Sequence, residues 1–408
     1  MVENPFGRNL ARYADCIVSA GVGVADGDKV DVVSPIGHRV LAVALAEAGY
    51  RAGAAVMDVR YADPRVQAAR IRYGQEASLG ELPPGATAHY RALLRPDGAT
   101  IGTIGESDPG VFDGLDPSLV ALEMQRPAQK LHWFVKAMLN GHVRWTGCAW
   151  PTPHWAAQAF PDLEESRAQR RLARDLLEFC RLGPKDPAGH AGWDAHAAAM
   201  RRRAKKLSQL GATRVRLEGP ATSLEIGLSP GTLWIGGGQT IRGRAICPNI
   251  PTEEVFTSPT AGVADGTFRC SMPLSFQGRV IEDIGGEFRS GRLVRLSCKR
   301  EADRKFLAAF LDSEPNARRL GEVALVDATS RIGAKRRLYY NTLLDENAAI
   351  HIAFGAGFGV TRQSGQNRGV NRAQFHLDVM LGTPDFNVTA TVAKGRTRAL
   401  IADGHWQI

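Results

Sequence analysis

VADGDKVDVVSPIGHRVLAVALAEAGYRAGAAVMDVRY, residues 24–61, changes its periodicity twice. A turn at Gly27–Asp28 leads into a short β-rich run, Val30 to Val33. HRVLAVALAEAGYRAG then has helical spacing, with Gly49 as its stop, and AAVMDVRY returns to strand character. A strand, a helix and a strand in so short a span predict a parallel crossover unit. The same grammar extends outward. Arg8 to Ala20 reads as a helix, and SLVALEMQ (118–125) and HVRWTGCAW (142–150) read as later strands of one sheet. The expected first half is an α/β domain with a mainly parallel sheet. GVGVAD (21–26) has phosphate-loop glycines, but no strand precedes it and no complete GxGxxG follows, so it reads as a loop.

The pattern changes after RLGPKDPAGHAG (181–192), a turn-rich stretch, and a basic helix that runs to about Leu210. TRVRLEG, SLEIGLSPG, TLWIGGG, GTFRCSM and RLVRLSC are short strands divided by Gly and Pro turns. We therefore expect an α/β domain over residues 1–208 and a strand-rich α+β domain over 209–408. Two domains also suit 408 residues, which exceed one typical core.

Composition narrows the function classes. No run of 18 apolar residues is present, which argues against a membrane-spanning helix. Residues 1–29 lack the basic start and apolar core of an export signal, so the expected location is cytoplasmic. The six cysteines form no CxxC pair and read as reduced core residues. Net charge is +9, but the densest basic run, RRRAKK (201–206), reads as a solvated helix face. No aromatics interleave with it as a base-stacking platform requires, so no nucleic-acid partner is expected.

Chemistry concentrates in the second half. In PNIPTEEVFTSP (248–259), prolines hold the chain extended before Glu253 and Glu254. In LGEVALVD (320–327), Glu322 sits at the mouth of an apolar strand, Val323 to Val326. In LLDENAAIHIAFG (343–355), Glu346 and His351 are five apart, about 140° around a regular helix. They converge only if a turn separates them. Otherwise Asp345 or Asn347 caps a core helix from Ala348 to Phe354. In QFHLDVMLG (374–382), a strand puts His376 and Asp378 on one face and Phe375, Leu377 and Val379 on the other. Three or four carboxylates and two histidines, with no cysteine, suit a two-metal hydrolytic site in which a carboxylate bridges the ions.

These four stretches, in this order and separation, resemble the aminopeptidase T family of metallopeptidases. The closing DGHWQI also looks like the end of that family's chains. The resemblance implies a homodimeric aminopeptidase that carries two divalent ions of the zinc or cobalt class and acts on a small peptide or amide with a free amine. It implies Glu254 (or its neighbour Glu253), Glu322, Glu346, His351, His376 and Asp378 as metal ligands, with Glu322 as the bridging, water-activating carboxylate. One position departs from the family pattern: Phe358 stands where the family carries a Tyr. Tyr339 and Tyr340 are near it in sequence. That departure suggests hydrolysis of a non-peptide amide as an alternative. A mononuclear iron ring-cleaving dioxygenase shares the architecture and is the second alternative.

Overall fold

The computed structural model describes residues 7–105, 110–363 and 369–408. Residues 1–6, the start of the segment read for an export signal, lie outside them. The chain divides into two compact units: Met1–Asp194 with Gly238–Pro251, and Ala195–Gly237 with Thr252–Ile408. This division differs from a single break after residue 208. The change from helix to strand does occur there, but Met200, Ala204 and Leu207 of the helix Ala191–Gln209 are buried with Val215 and Leu217 of the following strand. Most of that helix therefore belongs with the strands it covers. The short return segment adds the strand Asn249–Ile250 to the first unit.

The first unit is built on a five-stranded parallel sheet. Its order is Asn249–Ile250, Arg144–Ala149, Gly98–Ile104, Lys29–Pro35, Val56–Ala62. The opening stretch thus forms the strand–helix–strand unit that its periodicity predicts, with two differences. Helix Arg39–Arg51 runs past Gly49. At Gly49 the helix packs closely on Met57, whose Sδ would lie 2.2 Å from a Cβ placed there. The second difference is Ser118–Gln125, which lies in the helix Pro117–Lys130 and not in a strand. Asp116 caps that helix by accepting from the Ser118 N–H at 2.8 Å, and Pro117 fits its first turn.

The second unit contains two large antiparallel sheets and a two-stranded hairpin, Leu274–Phe276 with Arg279–Ile281. The larger has eight strands, from Arg292–Ser297 at one edge to His405–Trp406 at the other. The smaller runs His376–Met380, His351–Gly355, Leu320–Leu325, Val255–Thr257, Ile235–Gly236. One apolar cluster joins residues from both sheets, including Leu217, Leu224, Val323, Ile352, Phe354 and Val379. The alternative of a capped helix over Ala348–Phe354 is not what forms. Thr342–Asp345 makes one helical turn, Glu346–Ala348 a 3-10 turn, and His351–Gly355 a fully buried inner strand. A strand buried on both faces reads as a continuous apolar run, which carries no alternation to distinguish it from a core helix.

Candidate metal centre

The smaller sheet of the second unit sorts its residues by face. Antiparallel pairing sets Glu322 opposite Ala353, and Ala353 opposite Asp378. Residues directly opposite share a face, so this row holds two carboxylates separated by a methyl group. Two residues along the strand, His351 joins the same face, and His376 pairs with Gly355. Ala324, Ala353 and Gly355 are the small residues between these groups. The opposite face carries Val323, Leu325, Ile352, Phe354, Leu377 and Val379 into the apolar core.

A bulge makes this arrangement possible. Leu320 pairs with Phe354 and Glu322 with Ala353, so Gly321 is an extra residue in its strand. Regular alternation would put Leu320 and Glu322 on one face. The bulge sends Leu320 to the core and aims Glu322 at the polar face. Gly321 permits the tight passage, since a Cβ there would lie 2.1 Å from the Ala356 carbonyl oxygen.

The side chains converge. His351 Nε2 lies 3.1 Å from Glu254 Oε2 and 4.0 Å from Asp378 Oδ1. His376 Nε2 lies 3.0 Å from Glu322 Oε2 and 3.1 Å from Asp378 Oδ1. The outer ring nitrogens are fixed by backbone carbonyls: His351 Nδ1 donates to Ala349 O at 3.0 Å and His376 Nδ1 to Ala356 O at 2.8 Å. Each Nε2 is thereby free to face the acids, the usual arrangement for a histidine that ligates a metal. Within this cluster two triads have donor atoms within 4.8 Å of one another, Glu254–Glu322–His351 and Glu322–His376–Asp378. Glu322 belongs to both. Glu346, from the 3-10 turn, is buried within the field of Asp378, Glu254 and Glu322 and joins the cluster.

The electrostatics show what the cluster lacks. Burial, with the charges of Glu254 and Asp378, pushes Glu322 up to about 7 against the pull of His376. Burial and the neighbouring acids push Glu346 well above the usual carboxylate range. Burial pulls His351 down, but its bond to Glu254 and the surrounding negative field hold it at about 9. Burial also pulls His376 down, and Asp378 and Glu322 raise it well above normal. Four acids and two imidazoles on one buried face are thus short of positive charge. Oxygen and imidazole donors without thiolate fit divalent cations of the zinc, cobalt or manganese class.

The remaining expected residues separate clearly. Glu253 turns to a different partner, with Oε2 3.5 Å from His196 Nε2, so Glu254 is the acid in the cluster. Asp345 does not cap a following helix. It accepts from the Tyr339 N–H at 2.7 Å and the Asn341 N–H at 2.9 Å, and so organises the turn that holds Tyr339 and Tyr340. Phe358 sits beside the cluster, its ring centroid 5.0 Å from that of His376 and 5.3 Å from that of Phe256. The Phe358 N–H donates to Ser258 Oγ at 2.7 Å. Asn347 had only a capping role in the sequence reading. It is fully buried, and its Oδ1 accepts from the Glu253 N–H at 2.7 Å and from Thr252 Oγ1 at 3.2 Å. Its Nδ2 donates to Leu343 O at 2.9 Å and Glu346 Oε1 at 3.4 Å. Asn347 therefore ties the Glu254 segment to the Glu346 turn. Only its position between Glu346 and an apolar run could have signalled this.

Comparison with known proteins agrees with this geometry. Residues 6–406 match the profile of the thermophilic metalloprotease (M29) family. Aminopeptidase T of Thermus thermophilus is 33% identical over 99% of both chains, and aminopeptidase 2 of Geobacillus stearothermophilus is 30% identical over 99% of this chain and 98% of its own. The solved structure of wild-type AmpT from Thermus thermophilus superposes with a TM-score of 0.88 at 32% identity, over 99% of this chain and 100% of that one. A 2,5-dihydroxypyridine dioxygenase from Pseudomonas putida superposes at 0.54 with 13% identity, over 97% of this chain and 96% of that one, a likeness of fold alone. With a match that spans nearly its whole length, the chain belongs to the thermophilic metalloprotease (M29) family.

Proposed function

We propose that the chain removes N-terminal residues from peptides at a centre formed by Glu254, Glu322, Glu346, His351, His376 and Asp378. That it is a metallo-aminopeptidase, a hydrolase of peptide bonds, follows from its family and its named relatives. The finer reading, two ions of the zinc or cobalt class, rests on one observation: two donor triads share Glu322. Ions held there would polarise the scissile carbonyl and supply a nucleophilic water near neutral pH. Glu322, common to both triads, would take the proton from the nucleophile on a carboxylate oxygen and return it to the leaving amine. His351 and His376 hold the acids in register through their fixed ring orientations. An acid of the cluster would hold the substrate's free α-ammonium, which limits cleavage to the first bond. We also propose a homodimer, on the family resemblance, and a cytoplasmic location, on the export-signal pattern missing from residues 1–29. Among the described residues no helix is long and apolar enough to cross a membrane.

The test is metal analysis of the purified protein, followed by assay on peptides with free and N-acetylated amines. About two ions per chain, with cleavage of the free peptides alone and loss on chelation, is the expected result. One iron with oxygen uptake on a dihydroxypyridine would overturn the reading. Phe358, which brings no hydroxyl to His376, favours one variant: the same centre acting on a non-peptide amide. Metal-dependent cleavage of such amides without peptide cleavage would select it.

A further inference from the structure

Of the six proposed ligands, Glu254, Glu322, Glu346, His351 and Asp378 are buried, and His376 is half-buried. The His376 side chain is 25% exposed, against 10% or less for those of Glu254, Glu322, His351 and Asp378. The cluster is therefore most open to solvent at His376. Two aromatic rings stand on that side. Phe256 pairs with Ala324, and Ala324 with His351, so Phe256 lies on the ligand-bearing face of the sheet. Phe358 meets Phe256 edge-on, with ring planes at 63°, and also packs on the His376 ring. Both phenylalanines are half-buried. The backbone of Phe358 is fixed from two directions. Its N–H donates to Ser258 Oγ, and its carbonyl accepts from Thr361 Oγ1 at 2.7 Å and from the Thr361 N–H at 3.1 Å. The buried Arg362 guanidinium adds a further tie, because its Nη2 donates to the carbonyls of Ser258 at 2.9 Å and Pro259 at 3.2 Å. The turn that carries Phe358 is thus bound to the segment that follows Phe256.

Rings held half out of the core beside a charged cluster make an apolar wall that is already in place before a ligand arrives. We propose that Phe256 and Phe358 receive the side chain of the substrate's N-terminal residue. They would select peptides that begin with a branched aliphatic or aromatic residue over those that begin with alanine or glycine. The inference rests on the aminopeptidase reading: with the ammonium and the scissile carbonyl of the first residue both held by the cluster, that residue's side chain lies beside the cluster, and the leaving residue begins beyond it. The test uses metal-loaded protein, assayed on Leu-Gly-Gly, Ala-Gly-Gly and Leu-Leu-Gly and titrated calorimetrically with leucine hydroxamate and glycine hydroxamate. In the wild type, kcat/KM for Leu-Gly-Gly should exceed that for Ala-Gly-Gly about tenfold or more, and leucine hydroxamate should bind more tightly than glycine hydroxamate by a similar factor. Phe358→Ala and Phe256→Ala should each shrink both ratios about fivefold or more. Each ratio comes from one preparation, so it does not depend on the fraction folded or loaded. Equal binding of the two hydroxamates by the wild type would overturn the proposal. So would variants that change the ratio of Leu-Leu-Gly to Leu-Gly-Gly and leave the first-residue ratio intact, because the rings would then face the leaving residue. Selective hydroxamate binding that the variants lose, in a protein that cleaves no peptide, would uphold the wall and overturn the peptidase reading instead.

Discussion

Asn347→Leu is the substitution that most directly tests how the centre is held. The amide of Asn347 makes four hydrogen bonds, to Glu253 N–H, Thr252 Oγ1, Leu343 O and Glu346 Oε1. Leucine makes none. It would leave the Glu253 N–H and the Leu343 carbonyl buried without these partners, at about 1–3 kcal/mol each, or about 2–6 kcal/mol together. Against a whole-protein stability of about 5–15 kcal/mol the fold should survive, with a lower unfolding temperature. The decisive effect lies elsewhere. Asn347 couples the segment that carries Glu254 to the turn that carries Glu346, so its loss frees two proposed ligands from one another. Loss of a residue that orients metal ligands typically lowers metal affinity about 10- to 100-fold. Competition with a fluorescent chelator measures that affinity, and thermal unfolding of the stripped protein measures stability separately. A lower unfolding temperature with metal affinity within threefold of wild type would refute the positioning role. Asn347→Asp adds a comparison, since it keeps an acceptor for the Glu253 N–H but introduces a further acid beside Glu346. It should weaken proton release from the cluster and move the metal-binding curve to higher pH.

Other substitutions address the chemistry and the fold. Glu322→Gln should reduce turnover about 10²-fold or more and lower bound metal, as measured by kinetics and elemental analysis, because both triads lose the same charge. Phe358→Tyr should raise turnover on an aminoacyl anilide about tenfold or more if the ring beside His376 faces the reacting carbonyl, and an unchanged kcat would show that it does not. In the first unit, burial lowers His38 from the ordinary 6.5 to about 4, against the smaller opposing effect of the nearby Trp150 backbone. Its neutral ring is 3.0 Å from Thr103 Oγ1. Between those values the unfolded chain binds more protons than the folded one, so stability rises with pH and is lost as pH falls from about 6.5 toward 4. The full effect is roughly 3 kcal/mol. Chemical denaturation at pH 7 and pH 4.5 should show a drop that shrinks in His38→Gln. An equal drop in both proteins would refute the assignment.

How much of this was legible in the sequence depends on which physical signal each element carries. The opening strand–helix–strand unit was readable because its two periods differ and each is one-sided. His376 and Asp378 were readable for the same reason, since an edge strand alternates polar and apolar residues. Ser118–Gln125 misled because its short apolar run reads as a strand, while the helix start that Asp116 and Pro117 provide lies just before it. The convergence of Glu346 and His351 needed a turn between them, and the sequence presented that turn as one of two alternatives. The strand that follows is buried on both sides and so resembles a helix in its pattern.

Glu322 is the instructive case. LGEVALVD read as an alternating strand puts Leu320 and Glu322 together, and then one of them is misplaced: either a leucine faces the acids or a carboxylate enters the apolar core. The bulge at Gly321 removes the conflict, but a single glycine before an acid does not announce a bulge. The signal is relational, because it depends on Phe354 and Ala353 across the strand pair, more than thirty residues away in sequence. The same holds for Ala324, Ala353 and Gly355, whose small size matters only once their neighbours are seen to be the clustered acids and histidines. A chain that selected these residues for packing alone would gain from larger side chains on a buried face, at about 25 cal/mol for each Å² of apolar area. It instead leaves this face polar, crowded with acids and short of cations. That choice is costly in an empty protein and favourable in one whose folding is completed by metal, which makes the stability of the second unit, more than that of the first, the quantity that should respond to chelation.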